Sequence, residues 1–412
     1  MAIVRPFAAI RPAEGKAEKV LALPYDVMNR QEAAAMAEGN PESFLHISRS
    51  EIDLPEEDAY SENVYKKAAE NIKAFLADGV LIEEQKPCLY IYRQIMNERV
   101  QTGIVGCVSI DEYADGTIRR HELTRVEKEM DRIHHFDACN MNTEPVFLTY
   151  RDEEKVESLV ESWTDHHGPC YDIVDQSGVS HTLWVIDDDS IVEALAEAFS
   201  HVPRLYIADG HHRSASAYKV GKMRREQALD CAGNEEFNYF MAVIFPAGDL
   251  SIMDYNRVLA DLAGNTPEEL FEKIRNAGFT LTYKGETPYR PAACHEFSLY
   301  LDGKWYAMVL DASLVPKGEI ESLDVSILQE RVLAPVFGID DPRTDERIDF
   351  VGGIRGLEEL ARRAESDMRL AIAVHPVSME TLMHIADCEK IMPPKSTWFE
   401  PKLGSGLFMH RL

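Results

Sequence analysis

The stretch YIADGHHRSASAY, residues 206–218, decides how the fold of this sequence is interpreted. An apolar segment leads into Asp209 and Gly210, and two histidines and an arginine follow. This order predicts a short buried strand, a glycine turn and a helix over about 211–227. The first N–H groups of a helix lack intrahelical partners and lie at the positive end of its dipole. The stretch therefore predicts an anion site, and phosphate is the anion that such turns commonly bind.

Five consecutive residues of this stretch carry the predicted chemistry. Gly210 lets the backbone approach a ligand closely, and Arg213 offers two parallel donors to phosphate oxygens. His211 and His212 can donate to the same group, and Asp209 can bind Mg²⁺ or orient a nucleophile. Two other interpretations stay open. Asp209 can be the N-cap of an ordinary helix with Arg213 in a surface ion pair, or the histidines can bind a metal.

The rest of the sequence alternates hairpins with helices. The segments 87–95 and 99–113 are rich in β-forming residues and predict one hairpin, and 171–187 predicts a second. Apolar residues at helical spacing predict a helix over about 62–78. Hairpins mixed with helices indicate an α+β, or mixed α/β, fold rather than a doubly wound parallel sheet.

A further helix is predicted to open near His121, just after a strand. Glu122 then lies in its first turn, and Arg125, Glu129 and Arg132 can continue along the same face as a solvated ladder of ion pairs. The apolar stripe of this helix is predicted from the i, i+3, i+7 and i+10 spacing of Leu123, Val126, Met130 and Ile133.

We expect three parts in this chain of 412 residues. They are an N-terminal extension over 1–86 that packs on the core, a phosphate-binding catalytic core over 87–262, and a C-terminal α+β part over 263–412 that ends in the Pro-Pro-Lys-Ser-Thr loop. The last boundary is placed where the sequence Asn-Thr-Pro, ending at Pro267, begins a new series of helices and strands.

Composition excludes several classes of protein. The formal net charge is −28, and so acidic a surface repels nucleic acid. No segment reaches the roughly 18 consecutive apolar residues of a membrane span, and arginine and proline interrupt the N-terminal segment, unlike a signal peptide. The seven cysteines are scattered, with no C-x-x-C pair. We therefore expect a cytoplasmic protein with reduced thiols and neither nucleic acid nor a membrane as partner.

Three short motifs resemble those of the free L-serine kinases of the SerK type. YIADGHHR (206–213) looks like their phosphate loop, RRHELTR (119–125) is similar to their His-Glu segment, and MPPKSTWFEPKLGSG (392–406) is similar to their C-terminal Pro-Lys-Ser/Thr-Thr segment. The longer layout resembles a bacterial group in that superfamily through LALPYDV (21–27), NPESFLHISRSE (40–51) and YIYRQ (90–94).

The resemblance implies a ParB/sulfiredoxin-like core and a kinase that phosphorylates the hydroxyl of free L-serine. It implies that Glu122 is the catalytic base. His121, next to it, is predicted to contact phosphate or orient Glu122, and Asp209 is predicted to be a catalytic residue that holds Mg²⁺. The implied donor is ATP or ADP. Three residues of the C-terminal motif are implied to contact phosphate or substrate: Lys395, Ser396 and Thr397.

Other functions stay open beside the kinase. The acceptor can be another hydroxyl-bearing metabolite, and a catalytically silent regulator that binds a nucleotide or phosphorylated metabolite is the main alternative. A ParB-like DNA-binding switch is disfavoured by the acidic charge. A sulfiredoxin-like reductase needs a cysteine in the phosphate loop, where this sequence has His211.

Overall fold

The computed structural model describes residues 1–228 and 231–412 and divides into two compact units. The first unit comprises Met1–Leu250 together with Pro401–Leu412, and the second comprises Ser251–Glu400. This grouping differs from the predicted division. The first unit, which also holds the first 86 residues, ends at Leu250 instead of 262, and the last twelve residues return to it, where they pair with the strand at Met141–Asn142.

The first unit is built on a nine-stranded sheet with the order β6-β11-β8-β12-β5-β4-β10-β9, and β1 pairs with β5. The strands up to Pro246 are Val4–Arg5 (β1), Ile10–Pro12 (β2), Leu81–Glu83 (β3), Leu89–Met96 (β4), Arg99–Ser109 (β5), Ile118–Arg119 (β6), Met141–Asn142 (β7), Val146–Tyr150 (β8), Tyr171–Val174 (β9), Ser180–Ile186 (β10), Leu205–Asp209 (β11) and Tyr239–Pro246 (β12). Both predicted hairpins are confirmed as β4–β5 and β9–β10.

Nine α-helices of this unit accompany the sheet among the described residues. They are Ala17–Val20 (α1), Arg30–Ala37 (α2), Leu45–Ser48 (α3), Glu62–Ala77 (α4), Ile110–Asp115 (α5), Val126–Cys139 (α6), Glu154–His166 (α7), Asp189–Phe199 (α8) and His211–Gln227 (α9). One apolar cluster packs sheet residues such as Ile104, Leu148 and Ile207 with Leu195 of α8 and Val220 of α9. The helix predicted over 211–227 is confirmed.

Two boundaries differ from those predicted. Strand β5 ends at Ser109 instead of continuing to 113, because the Ser109 side chain accepts the Asp111 N–H and caps α5. Helix α6 begins at Val126, so Glu122 lies in the loop before the helix and not in its first turn.

The predicted apolar stripe of α6 is also wrong. Leu123, Val126 and Met130 are exposed, at 68%, 72% and 41%. The buried face instead carries charged residues, including Glu129 and Arg132, which were predicted to be solvated. Each has an ionic partner: Lys219 of α9 for Glu129 and Asp131 for Arg132. Polar packing against α9 and α4 therefore decides which side of α6 is buried.

The second unit has its own six-stranded antiparallel sheet, with the order β15-β17-β16-β19-β14-β18. Its elements are Ile252–Met253 (β13), Tyr255–Leu259 (β14), Pro267–Asn276 (α10), Phe279–Gly285 (β15), Glu296–Leu301 (β16), Lys304–Leu310 (β17), Asp324–Leu328 (α11), Ala334–Phe337 (α12), Ile348–Gly352 (β18), Gly356–Ser366 (α13), Leu370–Ala373 (β19), Met379–Asp387 (α14) and Trp398–Phe399 (β20). The chain ends in the first unit with His410–Arg411 (β21), which pairs with β7.

These elements confirm the predicted α+β class. The seven cysteines are all free, as predicted. Across the described ranges, no helix has both the length and the apolar character needed to span a bilayer.

Candidate functional site

The order of strands brings the two sequence motifs together. Strands β6 and β11 are parallel neighbours, with Leu205 opposite Ile118 and Tyr206 opposite Arg119. Parallel strands leave a sheet at the same edge, so the residues after β6 and those after β11 lie side by side. The His121–Glu122 segment therefore meets the turn at Gly210. The sequence spacing alone does not predict that the two segments lie close together, because their proximity depends on which strands pair.

Gly210 makes the turn between β11 and α9. Its backbone has φ 93° and ψ 32°, the left-handed region that favours glycine. A Cβ at this position would lie 3.1 Å from Nε of Arg213. The N–H of Gly210 donates to the Asp209 carboxylate at 2.9 Å, which holds the turn from the strand side. The N-terminal end of α9 is thereby fixed at the end of the strand.

Asp209 is half-buried between two cations. Its carboxylate lies 3.5 Å from Nζ of Lys402 and 3.7 Å from Nη2 of Arg213. Burial acts to raise the pKa of this carboxyl, but Lys402 and then Arg213 outweigh it and hold the pKa well below its usual range. Asp209 is therefore ionised at neutral pH, and its position next to Lys402 was not predicted.

Arg213 is buried rather than placed in a surface ion pair. Its side chain is 3% exposed, and Nη1 donates to the main-chain carbonyl of Pro145. Its pKa is raised although burial lowers it, because the charge of Asp209 favours the cation. The alternative of an ordinary surface ion pair is thereby wrong. A role of Arg213 in phosphate binding stays a prediction.

A compact cluster forms from His121, Glu122 and His211. One donor atom from each side chain lies within 4.8 Å of the other two. The rings of His121 and His211 meet edge to face, with centroids 4.5 Å apart. Burial lowers the pKa of His121 to about 4, against the opposing charge of Asp209, and burial also lowers the pKa of His211. Both rings are therefore neutral at pH 7.

His212 points in a different direction from His211. Its Nε2 accepts a hydrogen bond of 3.0 Å from the backbone N–H of Arg125, the residue before α6. Burial lowers its pKa, so it is neutral and able to accept this bond. His212 thus ties the loop that carries Glu122 to the first turn of α9. Its predicted contact with phosphate is untested.

A buried polar cluster that the sequence interpretation missed lies in the same unit. The Arg132 guanidinium carbon lies 3.9 Å from the ring centroid of Tyr25. Glu144 is fully buried, and its Oε1 accepts hydrogen bonds from the Tyr25 N–H and the Ser405 hydroxyl. The charge of Glu144 also acts on Arg213. Tyr25 lies in LALPYDV (21–27) and Ser405 in MPPKSTWFEPKLGSG (392–406), two stretches that carry the family resemblance.

Lys395, Ser396 and Thr397 belong to the second unit. The Lys395 ammonium donates to the Tyr255 hydroxyl at 2.9 Å. The main-chain carbonyl of Lys395 accepts a hydrogen bond of 3.1 Å from the Arg257 guanidinium. The Ser396 hydroxyl donates to the carbonyl of Pro393 at 2.6 Å. These bonds fix the Pro-Lys-Ser-Thr loop within its own unit. The predicted contacts of these residues with phosphate or substrate stay predictions.

The fold and this cluster define an α+β protein with a polar site where two parallel strands end. Residues 4–326 match the family described as "Protein of unknown function (DUF1015)", and the chain belongs to that family. No curated protein matches the sequence.

Several solved structures are similar to this chain at low identity. A free serine kinase in complex with AMP has 13% identity and a TM-score of 0.37, covering 74% of this chain and 92% of its own. SbnI from Staphylococcus aureus, with a C-terminal truncation, has 13% identity and a TM-score of 0.38, covering 74% and 87%. A conserved hypothetical protein from Pyrococcus furiosus has 13% identity and a TM-score of 0.36, covering 74% and 95%.

Proposed function

We propose that this protein is a small-molecule kinase that transfers a phosphoryl group from ATP or ADP to the hydroxyl of free L-serine. The observation that carries the proposal is the position of Glu122. Its carboxylate lies within 4.8 Å of the His211 ring at the first residue of α9. A carboxylate base and a helix N-terminus that favours anions therefore occupy one site.

The donor phosphates are bound at the N-terminal end of α9. Gly210 allows close approach of the backbone, and the free N–H groups of the first helical turn face the phosphate oxygens. Lys402 lies near this end of the helix because its ammonium pairs with the Asp209 carboxylate. The Lys402 side chain is 14% exposed. The Lys402 ammonium can leave the Asp209 carboxylate and bind a phosphate oxygen instead, because both groups offer anionic oxygen acceptors.

Glu122 acts on the acceptor. The carboxylate takes the proton of the serine hydroxyl as that oxygen bonds to phosphorus, and the bond from phosphorus to the departing nucleotide oxygen breaks. The products are O-phospho-L-serine with ADP from ATP, or with AMP from ADP. Asp209 would hold Mg²⁺ through a carboxylate oxygen, and the ion would neutralise charge on the phosphates. Serine is proposed as acceptor because of the resemblance of three motifs at 119–125, 206–213 and 392–406.

The test is a product assay with a panel of acceptors. Purified protein is incubated with Mg²⁺, ATP or ADP, and L-serine, D-serine, L-threonine or glycerol, and the products are separated by mass spectrometry. We expect phosphoserine from L-serine with one of the donors. Phosphorylation of another acceptor alone would replace serine. Tight nucleotide binding without transfer to any acceptor would support the silent regulator instead.

A further inference from the structure

We propose that His121, Glu122 and His211 form a binding site for one divalent transition-metal ion of the Zn²⁺, Co²⁺ or Mn²⁺ class. This site is separate from the Mg²⁺ role given to Asp209. Two imidazoles and one carboxylate suit borderline metals, whereas Mg²⁺ prefers oxygen ligands. The proposal goes beyond the kinase and does not depend on it.

The donor atoms are close to the separation that such an ion needs. They lie within 4.8 Å of one another. A tetrahedral ion with ligand distances of about 2.0–2.1 Å places its ligand atoms about 3.4 Å apart. Metal binding at this site would draw the three atoms together to this spacing. His121 and Glu122 are adjacent in the loop after β6, and His211 is held by the turn at Gly210.

Unpaired buried nitrogens supply the second, independent observation. His121 is 2% exposed and His211 is 6% exposed. Neither ring nitrogen of His121 makes a hydrogen bond of normal geometry with a described residue, although a weak polar contact with the Ile207 backbone acts to raise its pKa. Nε2 of His211 is likewise buried without a described partner. Burying such atoms unpaired is unfavourable, and a bound metal would give one nitrogen of each ring a partner.

Neighbouring residues help to orient the ligands. The negative charge of the Asp209 carboxylate acts on both rings, and it favours a cation beside them. The His212 bond to the backbone of Arg125 fixes the loop that carries Glu122 against α9. The three ligands leave at least one coordination position for water or for an oxygen of a bound anion, such as a phosphate.

Metal binding and the proposed base role of Glu122 are compatible. A carboxylate has two oxygens, so one can bind the ion while the other accepts a proton. Metal affinity is measured without nucleotide or serine. Failure of the kinase would therefore leave the metal site unaffected, and failure of the metal site would leave the kinase unaffected.

A second group of metal-binding side chains has to be separated in the test. Glu319, His384 and Cys388 also place one donor atom each within 4.8 Å, but His384 and Cys388 are exposed. Glu319 is already paired with Lys390. We therefore make every measurement in a His384→Ala background, which removes the central ligand of this surface group.

The experiment titrates metal-free protein with Co²⁺ and Zn²⁺. Visible absorption of bound Co²⁺ reports its ligands, and elemental analysis after gel filtration gives the number of ions per chain. We expect one ion per chain in the His384→Ala background, and a fall in affinity of about 100-fold or more in His121→Gln, Glu122→Gln and His211→Gln. His134→Gln, which changes an exposed histidine on α6, is the matched control and should bind as before.

Folding of each variant is checked by circular dichroism and thermal unfolding. If either histidine variant fails to fold, Glu122→Gln decides the result, because Glu122 is only half-buried. Loss of the bound ion in that variant, with the fold intact, would support the site. Unchanged affinity in the folded Glu122 and histidine variants, or no bound ion in the His384→Ala protein itself, would overturn it.

Discussion

The ammonium of Lys402 lies 3.5 Å from the carboxylate of Asp209, at the end of the strand that leads into the Gly210 turn. This contact joins the segment 401–412 to the turn between the strand and the helix. It also exerts the largest charge effect lowering the Asp209 pKa. Lys402 is thus, together with Arg213, one of two cations that the first unit places beside Asp209.

Replacing Lys402 with methionine should weaken nucleotide binding. The change removes a charged donor but keeps the length of the side chain. Hydrogen bonds to charged groups contribute about 1.5–3 kcal/mol, so the dissociation constant for ATP or ADP should rise about 10- to 100-fold. Isothermal titration calorimetry measures this. Lys155→Met, at a half-exposed lysine of α7, is the control, and equal affinity in both variants would exclude Lys402 from the phosphate site.

Replacing Gly210 with alanine should strain the turn. A left-handed backbone costs a residue with a Cβ about 1–2 kcal/mol, and the added Cβ would lie 3.1 Å from Nε of Arg213. We expect a loss of about that size in the free energy of unfolding, measured with urea, together with weaker nucleotide binding. Gly168→Ala is the control, because no atom lies within 4 Å of its added Cβ. An equal effect of the two changes would contradict the account of the turn.

His135 should make the protein less stable in acid. Burial, reinforced by the charge of Arg132, lowers the pKa of His135 to about 4 from an ordinary value of 6.5. Its Nε2 donates to the carbonyl of Ile47, and its Nδ1 accepts from the Thr143 hydroxyl, which suits the neutral ring. Because the unfolded chain takes up the proton first, the stability from this group is complete above about pH 6.5 and is lost as the pH falls towards 4.

The His135→Gln variant tests this sign. Between pH 6.5 and 4.5, the free energy of unfolding of this variant should fall less steeply with falling pH than that of the wild type. The difference in slope should correspond to the uptake of up to one proton on unfolding. Urea unfolding at a series of pH values gives both slopes. His166→Gln removes an exposed histidine and should leave the slope unchanged. A wild-type slope in His135→Gln would mean that this ring is not held neutral.

Much of the fold could be predicted from local sequence. Helix α9 was predicted because a glycine turn follows an apolar strand, and both hairpins were predicted from runs of β-forming residues. These signals are local, since they depend on the preferences of neighbouring residues. The left-handed Gly210 and the position of His211 at the first helical turn follow from the same local pattern.

The features that the sequence did not predict correctly depend on contacts between segments far apart in the chain. Helix α6 looked amphipathic around Leu123 and Val126, yet it buries Glu129 because Lys219 of another helix supplies the counter-charge. The pairing of Lys402 with Asp209 has the same character, because it joins segments far apart in sequence. The meeting of Glu122 with His211 requires β6 and β11 to be parallel neighbours, and no local pattern specifies that pairing.

The central claim is that Glu122 is the base in phosphoryl transfer at the α9 end. The most direct measurement compares phosphoserine formation by the wild type, Glu122→Gln and the exposed control Glu127→Gln, with nucleotide affinity measured on all three. We predict a rate about 10²- to 10⁴-fold lower in Glu122→Gln only, with nucleotide affinity retained. An unchanged rate in Glu122→Gln, or no phosphoserine from the wild type with either ATP or ADP, would contradict the claim.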